Sequence, residues 1–108
     1  MIAMIIGRFQ VPNKTLKQMV LRAKKEGATE VVVIIGSANE MSTDKNPLSV
    51  MLRQHMISEI FMNDKDVIIT AINDEDSDDL WKEKVLELVE KIDVRYIMAY
   101  QKQFLNRF

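Results

Sequence analysis

The chain has 108 residues, 47% hydrophobic and 29% charged, which is enough for one core and too few for two ordinary domains. Its 15 basic and 16 acidic residues give a formal net charge of -1, so no global field favours a polyanion and nucleic acid is not an expected partner. Lack of cysteine removes disulfides, thiol nucleophiles and cysteine-bound metals, and the opening "MIAMII" is too short for a membrane span or signal-peptide core; one cytoplasmic domain over residues 1–108, without membrane association, is expected.

The first apolar run, 1–6, leads into Gly7-Arg8-Phe9-Gln10. A glycine there lets backbone approach a ligand closely, and an arginine beside it can pair with phosphate; the plain alternative is a turn with a solvated arginine. Next, Leu16, Met19, Val20 and Ala23 fall at helical spacing, and Gly27 suits the end of that helix. A second apolar run, 30–36, ends in Gly36-Ser37 and leads to Asn46-Pro47. That pair reads as a cap and a first-turn proline, opening a helix whose stripe is Leu48, Leu52, Met56 and Ile60. His55, the lone histidine, falls on this apolar side and reads as structural.

A third run, 66–72, precedes "NDEDSDD", five carboxylates in seven residues. Without the ligand spacing and turn glycine of a calcium loop, it reads as a solvated acidic loop, and no metal site is expected. A third helix starts near Ser77, with Asp78 and Asp79 in its first turn and Trp81, Val85, Leu88, Val89 and Ile92 on one face. A fourth run covers 94–100. Continuous apolar runs suit strands buried on both faces. The alternation predicts an α/β, Rossmann-like doubly wound parallel sheet, a three-layer α-β-α sandwich of about four strands and three helices. Ligands in such sheets sit beyond the carboxyl ends of the strands, where strand order reverses. That rule selects loops 7–13, 36–46, 73–77 and 100–108.

The residues in these loops resemble the cytidylyltransferase-like nucleotidyltransferase family, and within it the nicotinamide mononucleotide (NMN) adenylyltransferases. The matching elements are Gly7-Arg8-Phe9-Gln10, Gly36-Ser37-Ala38, Asn46-Pro47-Leu48-Ser49, Arg53 with Met56-Ile57, and Asp78 with Trp81. The resemblance implies nucleotide contacts from Gly7, Arg8, Phe9, Gln10, Gly36, Ser37 and Arg53, and mononucleotide contacts from Asp78 and Trp81. Trp81 reads equally well as core, since it shares a stripe with Val85 and Leu88.

The family's His-x-Gly-His signature is altered. It falls on Asn13-Lys14-Thr15-Leu16 in one alignment and on Thr15-Leu16-Lys17-Gln18 in another, which Val11-Pro12 favours. Thr15 and Gln18 then stand at the catalytic positions, and Lys17 replaces the glycine, filling space beside the base unless it swings outward. The family's C-terminal Ser/Thr/Arg motif is not found in "QKQFLNRF". Lys102 and Arg107 offer substitute cations, or Phe104, Leu105 and Phe108 pack on the sheet or on another subunit in a homo-oligomer.

Three functions follow from the resemblance and its departures. The first is a shortened, degenerate domain that binds a nucleotide such as ATP or NMN with weak or no adenylyl transfer. The second is an active adenylyltransferase of NAD biosynthesis, joining ATP and NMN with Mg²⁺ and releasing pyrophosphate. The third is a structural or interaction scaffold. Binding with little catalysis is the expected reading, and enzyme activity is left open.

Overall fold

The computed structural model describes residues 1–39, 41–43, 47–74 and 77–100. Asn46, Glu75, Asp76, Lys102, Phe104, Leu105, Arg107 and Phe108 of the sequence reading lie outside the described residues. The four apolar runs form β1 (Ile2–Gly7), β2 (Glu30–Ile35), β3 (Val67–Ala71) and β4 (Val94–Ala99), separated by α1 (Lys14–Lys25), α2 (Val50–Ile60) and α3 (Asp78–Lys91). The strands make one sheet in the order β3-β2-β1-β4, with every pairing parallel.

This order follows from the crossovers. β1-α1-β2 and β2-α2-β3 step outward to one side with their helices on one face, and the return through α3 lands β4 beyond β1. Right-handed crossovers then require α3 on the opposite face. The alternation within β1 divides accordingly. Ala3 and Ile5 join Leu16, Val20 and Ala23 of α1 and Ile57 of α2, whereas Met4 and Ile6 join Trp81 and Val85 of α3.

Local chemistry sets the helix ends. Asn13 caps α1, its side chain accepting the Thr15 N–H at 2.9 Å. At the other end, Gly27 takes φ +107° while the Ala28 and Gly27 N–H groups reach Ala23 O and Lys24 O, both at 3.0 Å. This paired bonding with a left-handed glycine satisfies the last carbonyls and stops the helix. Ser77 caps α3 as expected, accepting the Leu80 N–H at 3.2 Å.

The second helix departs from the sequence reading. It starts at Val50, capped by Ser49, and its buried residues are Arg53 and Ile57. Leu52, expected in the core stripe, is exposed, and His55 is exposed beside Glu59 at 3.4 Å. An arginine occupying the inward face masks the apolar periodicity, so hydrophobic spacing alone points to the wrong stripe. Among the described residues, no helix is long and apolar enough to cross a membrane.

Candidate functional site

Strand order reverses between β1 and β4, so the crevice beyond their carboxyl ends is the natural ligand position. Its floor is the loop after β1. Gly7 is buried at the end of the strand, and its carbonyl accepts the Gly36 N–H at 2.7 Å, joining the ends of β1 and β2. Phe9 takes φ +53° and is fully buried, its ring 4.8 Å from that of Tyr100. Ser37, after β2, takes φ +50°. Left-handed backbone costs a non-glycine residue about 1–2 kcal/mol, so both positions need neighbours that hold them.

Arg53 is the main holder. Its guanidinium is 0% exposed. Nε donates to Ser49 O at 3.2 Å, NH1 to Arg8 O at 2.9 Å and Gly36 O at 2.8 Å, and NH2 to Ser37 O at 2.9 Å. One side chain of α2 thus fixes the loops after β1 and β2. Burial lowers the pKa of Arg53 and the negative charge of Asp74 raises it; the group stays cationic at any ordinary pH. Asp74 also accepts the Ser37 hydroxyl at 2.8 Å, and its backbone N–H donates to the Asn39 side chain at 2.9 Å. Gln10 closes the set, its carboxamide oxygen accepting the Leu48 N–H at 2.9 Å.

The far wall comes from α1 and β4. Thr15, Gln18, Met19, Arg22 and Met98 line one cavity of about 300 Å³. Leu16, by contrast, is fully buried in the core. Of the two alignments of the altered signature, only the one ending at Gln18 places both its ends on this cavity. Lys17 lines the cavities on the α2 side of α1 and swings away from the β4 side. Tyr100 bridges the two walls. Its N–H donates to Ile6 O at 2.8 Å, and its ring meets Phe9. Burial pushes its phenol pKa up, with a hydrogen bond to the Asn13 backbone working against that shift.

The structure therefore gathers Gly7, Arg8, Gly36, Ser37 and Arg53 into one bonded group, with Phe9 against Tyr100 and Gln10 on Leu48, while Thr15 and Gln18 line the cavity between α1 and β4 and Gln18 also borders the one toward α2. Trp81 is separate: it is 1% exposed and packs with Met4, Ile6, Val32, Ile34 and Val85 on the α3 face, and Asp78 is exposed in the first turn of α3. Sequence reasoning missed Asn39, Asp74 and Tyr100 as parts of the site. Position directly after β4 was the available signal for Tyr100, and membership of the loop that follows β3 was the signal for Asp74.

The cytidylyltransferase-like family matches residues 4–107. Comparison with curated proteins gives no match. Among solved structures, a bifunctional NMN adenylyltransferase/ADP ribose pyrophosphatase from Francisella tularensis, crystallised with AMP and an Mn ion, aligns with a TM-score of 0.77 at 22% identity. The alignment covers 99% of this chain and 34% of that one, and at this identity it speaks for the fold alone. With its sheet order, its crevice and a family match over nearly all its residues, the chain belongs to the cytidylyltransferase-like family.

Proposed function

We propose that the domain binds a nucleotide in the β1/β4 crevice and transfers an adenylyl group weakly or not at all. The observation that carries this reading is the placement of Thr15 and Gln18 together on the cavity facing β4. Their hydroxyl and carboxamide can donate hydrogen bonds to phosphate oxygens, but neither gains positive charge as the transferred phosphoryl group becomes more negative. Phosphoryl transfer depends on positioning and electrostatic stabilisation, and loss of one such donor costs roughly a hundredfold to a thousandfold in rate. The bonded loops after β1 and β2 favour binding over a purely structural role, because they hold Phe9 and Ser37 in left-handed backbone beside the crevice, and such strained positions cluster at ligand sites.

Mg²⁺ enters this reading with the nucleotide. No group of three or more metal-ligating side chains exists among the described residues, whereas Mg²⁺ commonly binds through substrate phosphates with few protein ligands. The test is thermal unfolding with millimolar ATP, CTP and NMN, each with and without Mg²⁺, followed by a pyrophosphate-release assay. A ligand that binds the native state must raise its apparent stability. A shift with ATP and negligible pyrophosphate release is the expected result; turnover at ordinary enzymatic rates would establish the active adenylyltransferase, and no shift with any nucleotide would leave the scaffold role.

A further inference from the structure

We propose that β3 is a dimerisation edge, pairing antiparallel with β3 of a second copy of this chain across a two-fold axis at Ile69 and joining the two sheets into one. This edge lies on the far side of the sheet from the β1/β4 crevice and does not depend on nucleotide binding. The two edges of the sheet are guarded differently. β4 carries an ion pair, Arg95 Nε to Asp93 at 3.1 Å, and its register against β1 shifts between Ile2 and Ala3. Charges and irregular pairing protect an exposed edge from other strands. β3, reading VIITA, has neither charge nor proline, and it pairs with β2 without interruption from Val31↔Val67 to Ile35↔Ala71.

The outer backbone of β3 complements itself. Asp66 O accepts the Val31 N–H and the Ile72 N–H donates to Ile35 O, both at 2.9 Å, so the even-numbered residues of β3 face β2. Backbone groups alternate along a strand, which turns those of Val67, Ile69 and Ala71 outward. The Val67 N–H is taken by Asp64 O at 3.2 Å, while the Val67 carbonyl and both groups of Ile69 and Ala71 meet no partner among the described residues. In a two-fold pair centred on Ile69, the two Ile69 residues exchange N–H···O=C bonds, and each Ala71 N–H reaches the Val67 carbonyl of the other copy. On the α3 face, Ile68 is 46% exposed beside exposed Thr70, over an apolar cavity of about 270 Å³ shared with Val32, Ile34, Leu88 and Ile92. The same register sets Ile68 opposite Thr70 of the second copy as a close, β-branched cross-strand pair.

Charge selects a second copy and the antiparallel sense. At the amino end of β3, Lys24 reaches Asp66 at 2.9 Å and Asp64 at 4.0 Å, which leaves exposed Lys65 without an ion-pair partner among the described residues. Beyond the carboxyl end lie Asp74, Asp78 and Asp79. Antiparallel pairing brings Lys65 of each copy to the acidic end of the other, whereas parallel pairing sets like ends together.

The experiment is gel filtration with light scattering, over a concentration series up to about 100 µM, on the wild type, Thr70→Lys, Ala71→Pro and Ile97→Lys, with the fold of each checked by circular dichroism. Thr70 and Ala71 are exposed, and proline at 71 removes only an outward N–H. The expected result is a wild-type dimer, association weakened at least roughly tenfold in Thr70→Lys and Ala71→Pro, and no change in Ile97→Lys on the opposite edge. Cysteine pairing reads the register, since the chain has no cysteine of its own: a mixture of Ile68→Cys and Thr70→Cys should give a disulfide-linked dimer that neither variant gives alone. A wild-type monomer throughout the series would overturn the proposal, as would a dimer that Ile97→Lys weakens and Thr70→Lys does not. Equally strong cross-linking in either cysteine variant alone would overturn the two-fold register.

Discussion

The two walls of the crevice are built on different plans. On the β1/β2 side, Arg53, Gln10, Ser37 and Asp74 bond to backbone and to each other, and the loops they hold contain both left-handed residues of the site. On the β4 side, Thr15 and Gln18 face an open cavity. One wall supplies shape, and the other leaves donors available to a ligand. A preformed wall lowers the ordering cost of binding, which means that its side chains matter to a ligand chiefly through the backbone they place.

Substitutions can break this contrast. Arg53→Ala leaves the Gly36 and Ser37 carbonyls buried without their donor and is expected to cost about 3–5 kcal/mol, read as a lower urea midpoint. Arg53→Lys recovers only part of that, because an ammonium lacks the planar fork; a loss below about 1 kcal/mol for Arg53→Ala would show that the loops hold themselves. At Ser37, alanine loses the bond to Asp74 and keeps the strained φ, whereas glycine loses the bond and relieves the strain. Ser37→Ala is expected to lose about 1–2 kcal/mol, and Ser37→Gly to be about 1 kcal/mol more stable than Ser37→Ala. Equal stabilities would mean that the left-handed backbone carries no strain.

The opposite wall should answer differently. Thr15→Ala with Gln18→Ala changes two exposed side chains and should shift stability by no more than about 0.5 kcal/mol each, while weakening ATP binding as read by calorimetric titration. The smallest effect belongs at the amino end of the sheet, where Lys24 hydrogen-bonds Asp66 at 3.0 Å and lowers the pKa of its carboxyl. A lowered folded pKa stabilises the protein above the unfolded value of about 3.9, and that contribution is lost as pH falls through the folded pKa. Asp66→Asn should remove this part of the acid-side decline in a denaturation series and leave ligand binding unchanged. An exposed pair of this kind contributes little.

Much of this organisation is legible in the residues. Valine- and isoleucine-rich runs mark the strands because burial on both faces demands it, and Ser77 and Gly27 mark helix ends by local chemistry. The start of α2 is harder to read, since Asn46-Pro47 carries the familiar signal while Ser49 makes the cap. Arg53 shows why the site is only partly legible. A charged residue on a helix ordinarily reads as solvent-facing, and its inward position becomes sensible only when three distant carbonyls converge on it. Phe9 and Ser37 have the same property: nothing about a phenylalanine or serine announces a left-handed backbone, and tertiary bonds impose it.

The sheet order has a consequence for how binding reports on the folded state. β1 pairs on both sides, while among the described residues β4 pairs along β1 alone, across the greatest sequence separation in the sheet. Detachment of β4 would leave β1–β2–β3 paired beneath α1 and α2, yet would remove Met98 and Tyr100 from the crevice. Local opening free energies within one protein range from near zero to the global value. An edge strand with exposed Arg95 and Ile97 belongs toward the lower end of that range. A ligand held in the crevice therefore selects the closed strand, and amide exchange along β4 should slow on nucleotide addition before exchange in β2 changes.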